Sequence, residues 1–151
     1  MSTIVIATDG SQAADSATAL GLDVARALGD SVVFIAVWEM IRGEFGTPLP
    51  AVDVSYLETE RDTGRQVLEA AQQRADALGI PAETVLVQGE AVREICRLAD
   101  ERDARMIVIG AHGWGPFRSM IRGSVAAGVL AHADRPVLTG APGPASSAAE
   151  G

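Results

Sequence analysis

Short aliphatic runs alternate with stretches of helical periodicity along the whole chain, and no other feature of the sequence restricts its fold so strongly. The runs are Ile4-Val5-Ile6-Ala7, Val32-Val33-Phe34-Ile35-Ala36-Val37, Thr84-Val85-Leu86-Val87, Met106-Ile107-Val108-Ile109 and the shorter Arg135-Pro136-Val137-Leu138-Thr139. The second is apolar almost throughout, as strands buried on both faces are. Strands that alternate with helices pair in parallel, because each parallel pair needs a crossover helix, and right-handed crossovers put helices on both faces. The expected fold is therefore α/β: a doubly wound, Rossmann-like five-stranded parallel sheet with helices on both faces.

The segments between the runs support this reading. Thr8-Asp9-Gly10-Ser11 joins turn formers to good helix N-cap residues, and Ala17, Leu20, Gly21, Val24 and Leu28 then follow at steps of three and four, predicting a helix that ends at Gly29-Asp30. A long helix is predicted from about Tyr56 to Leu78, with Gly64 as its weak point and Gly79 as its stop. Val92, Ile95, Leu98 and Ala99 mark a third helix, and Val125, Val129 and Leu130 a fourth. Residues 39 to 52 hold Gly43, Gly46, Pro48 and Pro50 without periodicity and read as the longest loop, a candidate lid or dimer contact. From Gly140 onward the sequence has little hydrophobic mass, so a domain over 1–140 and a disordered tail over 141–151 are expected.

Composition removes several classes of function. With 151 residues the chain has the length of one domain. Its 12 cationic residues are all arginine and its net charge is −8. A lysine-free chain has no Walker lysine, no Schiff base and no lysine-rich nucleic-acid patch, and its acidity repels phosphate backbones and anionic membranes alike. Hydrophobic residues are 48% of the chain, yet no apolar run is long enough to span a bilayer, and the start lacks the marks of a signal peptide, so a cytoplasmic protein is expected. Cys96 has no disulfide partner in the chain and lies in an amphipathic stretch, where burial as a small hydrophobe is its expected fate.

In doubly wound sheets ligands bind beyond the carboxyl ends of the strands, where the strand order reverses. Two segments after strands carry the chemistry: Thr8-Asp9-Gly10-Ser11, and the glycine-rich stretch from Gly110 to Ser124. Gly110 and Gly113 allow positive backbone angles and let main-chain N–H groups approach an anion. Gly123-Ser124 opens a helix whose free N–H groups and dipole favour phosphate, and Ser124 adds a hydroxyl. Such a cradle needs no lysine.

The spacing Gly110-x2-Gly113-x9-Gly123-Ser124, the loop Thr8-Asp9-Gly10-Ser11 and the closing Arg135-Pro136-Val137-Leu138 resemble the universal stress protein family, over essentially the whole chain to Thr139. The resemblance implies a small, dimeric protein that binds ATP with a divalent ion, Mg2+, and acts in stress response through a protein partner not named by the sequence. It puts Asp9 on the ribose or metal side of the nucleotide, with Thr8 of the same loop among the nucleotide-binding residues. It sets Val37 against adenine through its main chain, and Gly110, Gly113, Gly123, Ser124 and Val125 around the phosphates. Trp114 and Gly115-Pro116-Phe117 depart from the family's pattern in the phosphate loop.

Simpler roles stand beside these. Asp9 can cap the first helix, and a capping role for Ser124 is compatible with phosphate binding. Arg118 and Arg122 can neutralise phosphate or be solvated, Trp114 can stack on a base or pack on its own loop, and His112 is given no role. His132 belongs to its own helix C-terminus. No catalytic or metal-ligating residue is assigned. Three functions remain in competition: a nucleotide-dependent regulator, a slow ATP hydrolase, and a dimeric interaction module of the same fold without nucleotide.

Overall fold

A computed structural model of the chain describes residues 1–38, 54–111 and 124–140, with the side chains of 54–57 excepted. In chain order the elements are β1 (Thr3–Ala7), α1 (Gln12–Leu28), β2 (Ser31–Trp38), α2 (Val54–Ala77), β3 (Ala82–Gln88), α3 (Ala91–Glu101), β4 (Met106–Gly110), α4 (Ser124–His132) and β5 (Val137–Gly140). All strand pairs are parallel, in the order β3-β2-β1-β4-β5. The expected doubly wound sheet is the observed one.

Two hydrophobic clusters lie on opposite faces of this sheet. One joins α1 and α2 to Ile4, Ile6, Val32, Phe34 and Ala36, and the other joins α3 and α4 to Val5, Val33, Ile35, Ile107 and Ile109. The alternation follows the strand period of two, which sends successive side chains to opposite faces. Phe34 is the largest side chain with no exposed surface, in a core otherwise built of small aliphatics.

Local chemistry sets the helix ends. Ser11, in extended conformation, caps α1 by accepting from the Ala14 N–H at 3.1 Å. Gly29 closes the helix at φ +71°. Glu90 caps α3, its carboxylate accepting from the Val92 and Arg93 N–H groups at 3.2 and 3.0 Å. His132 Nδ1 lies 3.0 Å from the Gly128 carbonyl, within its own helix end as expected.

Three expectations need correction. The apolar stripe read into α1 is rotated: Ala14, Ala17, Thr18, Gly21, Leu22 and Ala25 are buried, whereas Leu28 is 47% exposed. The cause is close approach, since a Cβ on Gly21 would lie 2.6 Å from Ile6 Cδ1, so the sheet selects the small-residue face. Gly64 does not weaken α2, which runs through it unbroken. A Cβ there would meet only the tip of Leu86, its Cδ1 at 2.7 Å, so α2 lies close over β3 at this position. β5 begins two residues later than expected, because Pro136 has no N–H for the ladder. Pro136 still offers its carbonyl to the Ile107 N–H at 2.9 Å.

Candidate functional site at the carboxyl edge of the sheet

The chain leaves β1 for β2 on one side and reaches β4 on the other, so the strand order reverses between β1 and β4. Because the strands are parallel and each helix returns the chain, the first turns of α1 and α4 both lie at the carboxyl edge. Both helices point the positive end of their dipole at this edge, which favours an anion there.

β1 ends before both of its neighbours, and the crevice follows from that. Its register with β2 ends at Ala7↔Ile35 and with β4 at Ile6↔Val108. The Thr8 N–H then donates to the Ile35 carbonyl at 2.9 Å, the last rung on that side among the described residues. β2 continues to Trp38 and β4 to Gly110, each held only by its outer neighbour, in Val37↔Val87, Trp38↔Gln88 and Gly110↔Gly140. In a parallel strand the N–H and C=O of one residue point the same way, and alternate residues point opposite ways. Ile35 faces β1, and Trp38 faces β3, where its carbonyl accepts from the Gly89 N–H at 3.1 Å. Val37 therefore presents its main-chain donor and acceptor toward β1, past the end of that strand.

The Thr8-Asp9-Gly10-Ser11 turn is tied to itself. The Ser11 N–H donates to Asp9 Oδ1 at 2.9 Å, forming an Asx turn, and the Gly10 N–H lies 3.4 Å from Thr8 Oγ1. Ser11, and not Asp9, is thus the helix cap, and the Asp9 carboxylate is placed at the positive end of α1. Gly10 has φ +79°, and a Cβ on it would lie 2.7 Å from Val67 Cγ2 of α2. Sequence spacing gave no sign of this partnership, since Val67 lies in another helix. Gly110 has a packing reason to be glycine: a Cβ would come within 2.9 Å of the Ala13 carbonyl carbon and oxygen and 3.0 Å of the Ala14 nitrogen. Its bareness brings the first turn of α1 against the end of β4.

The remaining expected site residues divide. Ser124 is exposed at the start of α4, while the Val125 side chain is 8% exposed within the core, so only its main chain faces the edge. Thr8 is 3% exposed, and its N–H is spent on the sheet. Gly113 and Gly123 lie outside the described residues, as do His112, Trp114, Arg118, Arg122 and the segment 39–52. Thr8, Asp9, Val37, Gly110, Ser124 and Val125 are brought to one edge. Among the described residues no cluster of three His, Cys, Asp or Glu side chains is arranged to hold a metal, and no helix is long and apolar enough to cross a membrane. Cys96 is half-buried in α3, and burial, with the nearby carboxylates, pushes its thiol pKa up from the ordinary value.

An edge with this construction suits an anionic ligand that also has a flat hydrogen-bonding edge, and relatives bear on which one. The family model for the universal stress protein family matches residues 1–139. A universal stress protein of Thermus aquaticus is 31% identical over 140 residues, covering 90% of this chain and 96% of its own. The crystal structure of a universal stress protein family member from Burkholderia pseudomallei has a TM-score of 0.75 at 32% identity, covering 94% of this chain and 96% of that one. The universal stress protein from Archaeoglobus fulgidus in complex with dAMP has a TM-score of 0.62 at 26% identity, covering 93% and 98%. With a family match that runs from the first strand into the last, and relatives of the same length and topology, this chain belongs to the universal stress protein family.

Proposed function

We propose that the chain binds an adenine nucleotide, ATP accompanied by Mg2+, at the carboxyl edge of the sheet, and acts as a nucleotide-dependent regulatory protein in stress response. The observation that carries this reading is the open main chain of Val37 beside the β1–β4 reversal. A main-chain donor and acceptor side by side complement adenine, whose Watson–Crick edge sets the N1 acceptor beside the N6 amino donor. Guanine presents the opposite polarity there. Asp9 would take ribose hydroxyls or a phosphate-bound Mg2+. The α4 N-terminus, with Ser124 and the Val125 N–H, would take phosphate. Gly113 and Gly123 complete the cradle in the sequence pattern. A relative held in complex with dAMP supports the adenine preference. Regulation follows from the Asp9 turn, which touches α2 through Gly10 and Val67, so occupancy is transmitted to a helix away from the phosphates. Such a protein works by exposing different surfaces in its two states, as a homodimer or toward another protein.

The test is thermal unfolding of nucleotide-free protein with Mg-ATP, with Mg-GTP as control. At about 100 times the dissociation constant, binding adds roughly 2.7 kcal/mol, or a rise on the order of 5 to 11 °C for this size. Asp9→Ala, Ser124→Ala and Gly113→Val are each expected to weaken the effect. An equal shift with GTP removes the adenine assignment, and no shift with millimolar ATP leaves the interaction module as the better reading. Turnover of about 1 per second or more makes the protein an enzyme instead.

A further inference from the structure

A cavity of about 290 Å3 lies between α1 and α2, beside the Thr8–Gly10 turn. Its inner end is formed by Thr8 and Thr18, which are 3% and 1% exposed. Val67, Ala70 and Ala71 of α2 form one wall, and Asp15, Gln66 and Arg74 stand at the rim.

The polar groups of this cleft are made for an occupant. Thr18 Oγ1 is buried and has no hydrogen-bond partner among the described residues. A threonine inside a helix usually returns its hydroxyl to the carbonyl one turn back, and this one does not. Valine has the same shape and would carry no desolvated hydroxyl, so threonine here calls for a hydrogen-bonding neighbour. Among the described residues Thr8 Oγ1 receives only the long 3.4 Å approach of the Gly10 N–H, which leaves its own proton to donate. At the rim, Arg74 Nη1 donates to the Asp15 carbonyl oxygen at 3.4 Å and forms a loose ion pair with Asp15 Oδ1 at 3.8 Å, so the carboxylate makes no hydrogen bond to the guanidinium and both exposed charges can take a ligand group between them.

The geometry points to a second binding site here, for a small zwitterion of the size of a free amino acid. Its carboxylate goes to Arg74, its ammonium to Asp15, and its polar body to the two threonine hydroxyls. An ion of either single charge would satisfy one rim group and be repelled by the other. With about 30 Å3 per water-sized unit, the cavity admits roughly ten non-hydrogen atoms, the size of a small amino acid. An occupant would press on Val67 and Gly10, and so on the turn that carries Asp9. The proposal stands on the cleft alone and does not require nucleotide binding.

The experiment uses the whole 151-residue chain, with backbone amide NMR shifts and calorimetry to follow titration by glycine, L-alanine, L-serine, L-threonine, L-proline and glycine betaine. Acetate and ethylammonium serve as half-ligand controls. At least one zwitterion is expected to bind with a dissociation constant below about 1 mM, shifting Thr8, Gly10, Thr18 and Val67, with both controls at least about tenfold weaker. Thr18→Val is expected to lower that affinity about tenfold without lowering the melting temperature, and Arg74→Gln to lower it with the fold intact. The proposal is overturned if no zwitterion shifts these amides at about 10 mM, which leaves water as the occupant, or if acetate or ethylammonium binds as well. Undiminished affinity in both variants overturns it too, because binding would then lie elsewhere.

Discussion

Three glycines illustrate how differently one residue type is used in this chain. Gly10 is required by its backbone angle and Gly110 by the backbone of another element, whereas Gly64 faces only the tip of one leucine. Their substitutions should differ accordingly. In Gly110→Ala the new Cβ meets immovable main chain of α1, so a loss of about 1 to 3 kcal/mol in urea unfolding is expected, with nucleotide affinity falling as α1 is pushed from β4. In Gly64→Ala the new Cβ meets only Leu86 Cδ1, which can rotate away, and the helix gains propensity. A stabilisation of up to about 1 kcal/mol is expected by the same measurement. Loss of stability in Gly64→Ala comparable to that in Gly110→Ala would show that Leu86 cannot yield. All three positions are visible as glycines in the sequence. What each glycine faces is a long-range fact, and spacing does not contain it.

At the level of elements, the amino-terminal turn of α1 does two jobs. Ser11 caps the helix while its own N–H fixes Asp9, so cap and ligand-facing carboxylate belong to one hydrogen-bonded turn. Ser11→Ala should cost about 1 kcal/mol of stability in denaturant unfolding. It should also leave the Ser11 N–H to Asp9 bond in place, so that nucleotide affinity falls less than in Asp9→Ala. The start of this helix was legible, because Asp9-Gly10-Ser11 is a strong turn and cap signal. Its buried face was not. Leu20, Val24 and Leu28 outweigh Ala14, Thr18 and Ala25 in hydrophobicity, yet the sheet takes the smaller set because α1 lies close to β1 and β4. The pairing of Val37 with only one neighbour is likewise a property of strand lengths in two different elements, and it was accessible beforehand only through family resemblance.

For the molecule as a whole, the opposite edge of the sheet is closed by charge. Asp30, its side chain 1% exposed, accepts from Arg105 Nε at 2.6 Å and from the Ser2 N–H at 3.1 Å, joining the starts of β1, β2 and β4. The hydrogen bond from the Arg105 guanidinium, with the Ser2 N–H and the positive charges nearby, outweighs burial and holds the Asp30 carboxyl below its ordinary pKa. A depressed folded pKa binds protons less readily than the unfolded chain does. The contribution of this group is therefore complete above the ordinary carboxylate pKa of about 3.9 and is lost as pH falls through the lower folded value. Comparing Asp30→Asn with the parent chain in urea from pH 7 to pH 2.5 should show a gap that is constant near neutrality and narrows only in the acid range. A gap that narrows between pH 7 and pH 5 would assign the stability to another group.

The sequence by itself determined the strand and helix alternation, the all-parallel pairing that follows from it, and the edge of the sheet where a ligand belongs, since these depend on period, turn chemistry and handedness, all of which are local. The tertiary structure alone decided which face of α1 is buried, what Gly110 and Gly64 face, that Val37 looks into the crevice, and that Thr18 and Arg74 share a cleft. Each of these depends on the distance between elements remote in the chain. That distance is set by the packing of whole helices on the sheet, which no window of sequence contains.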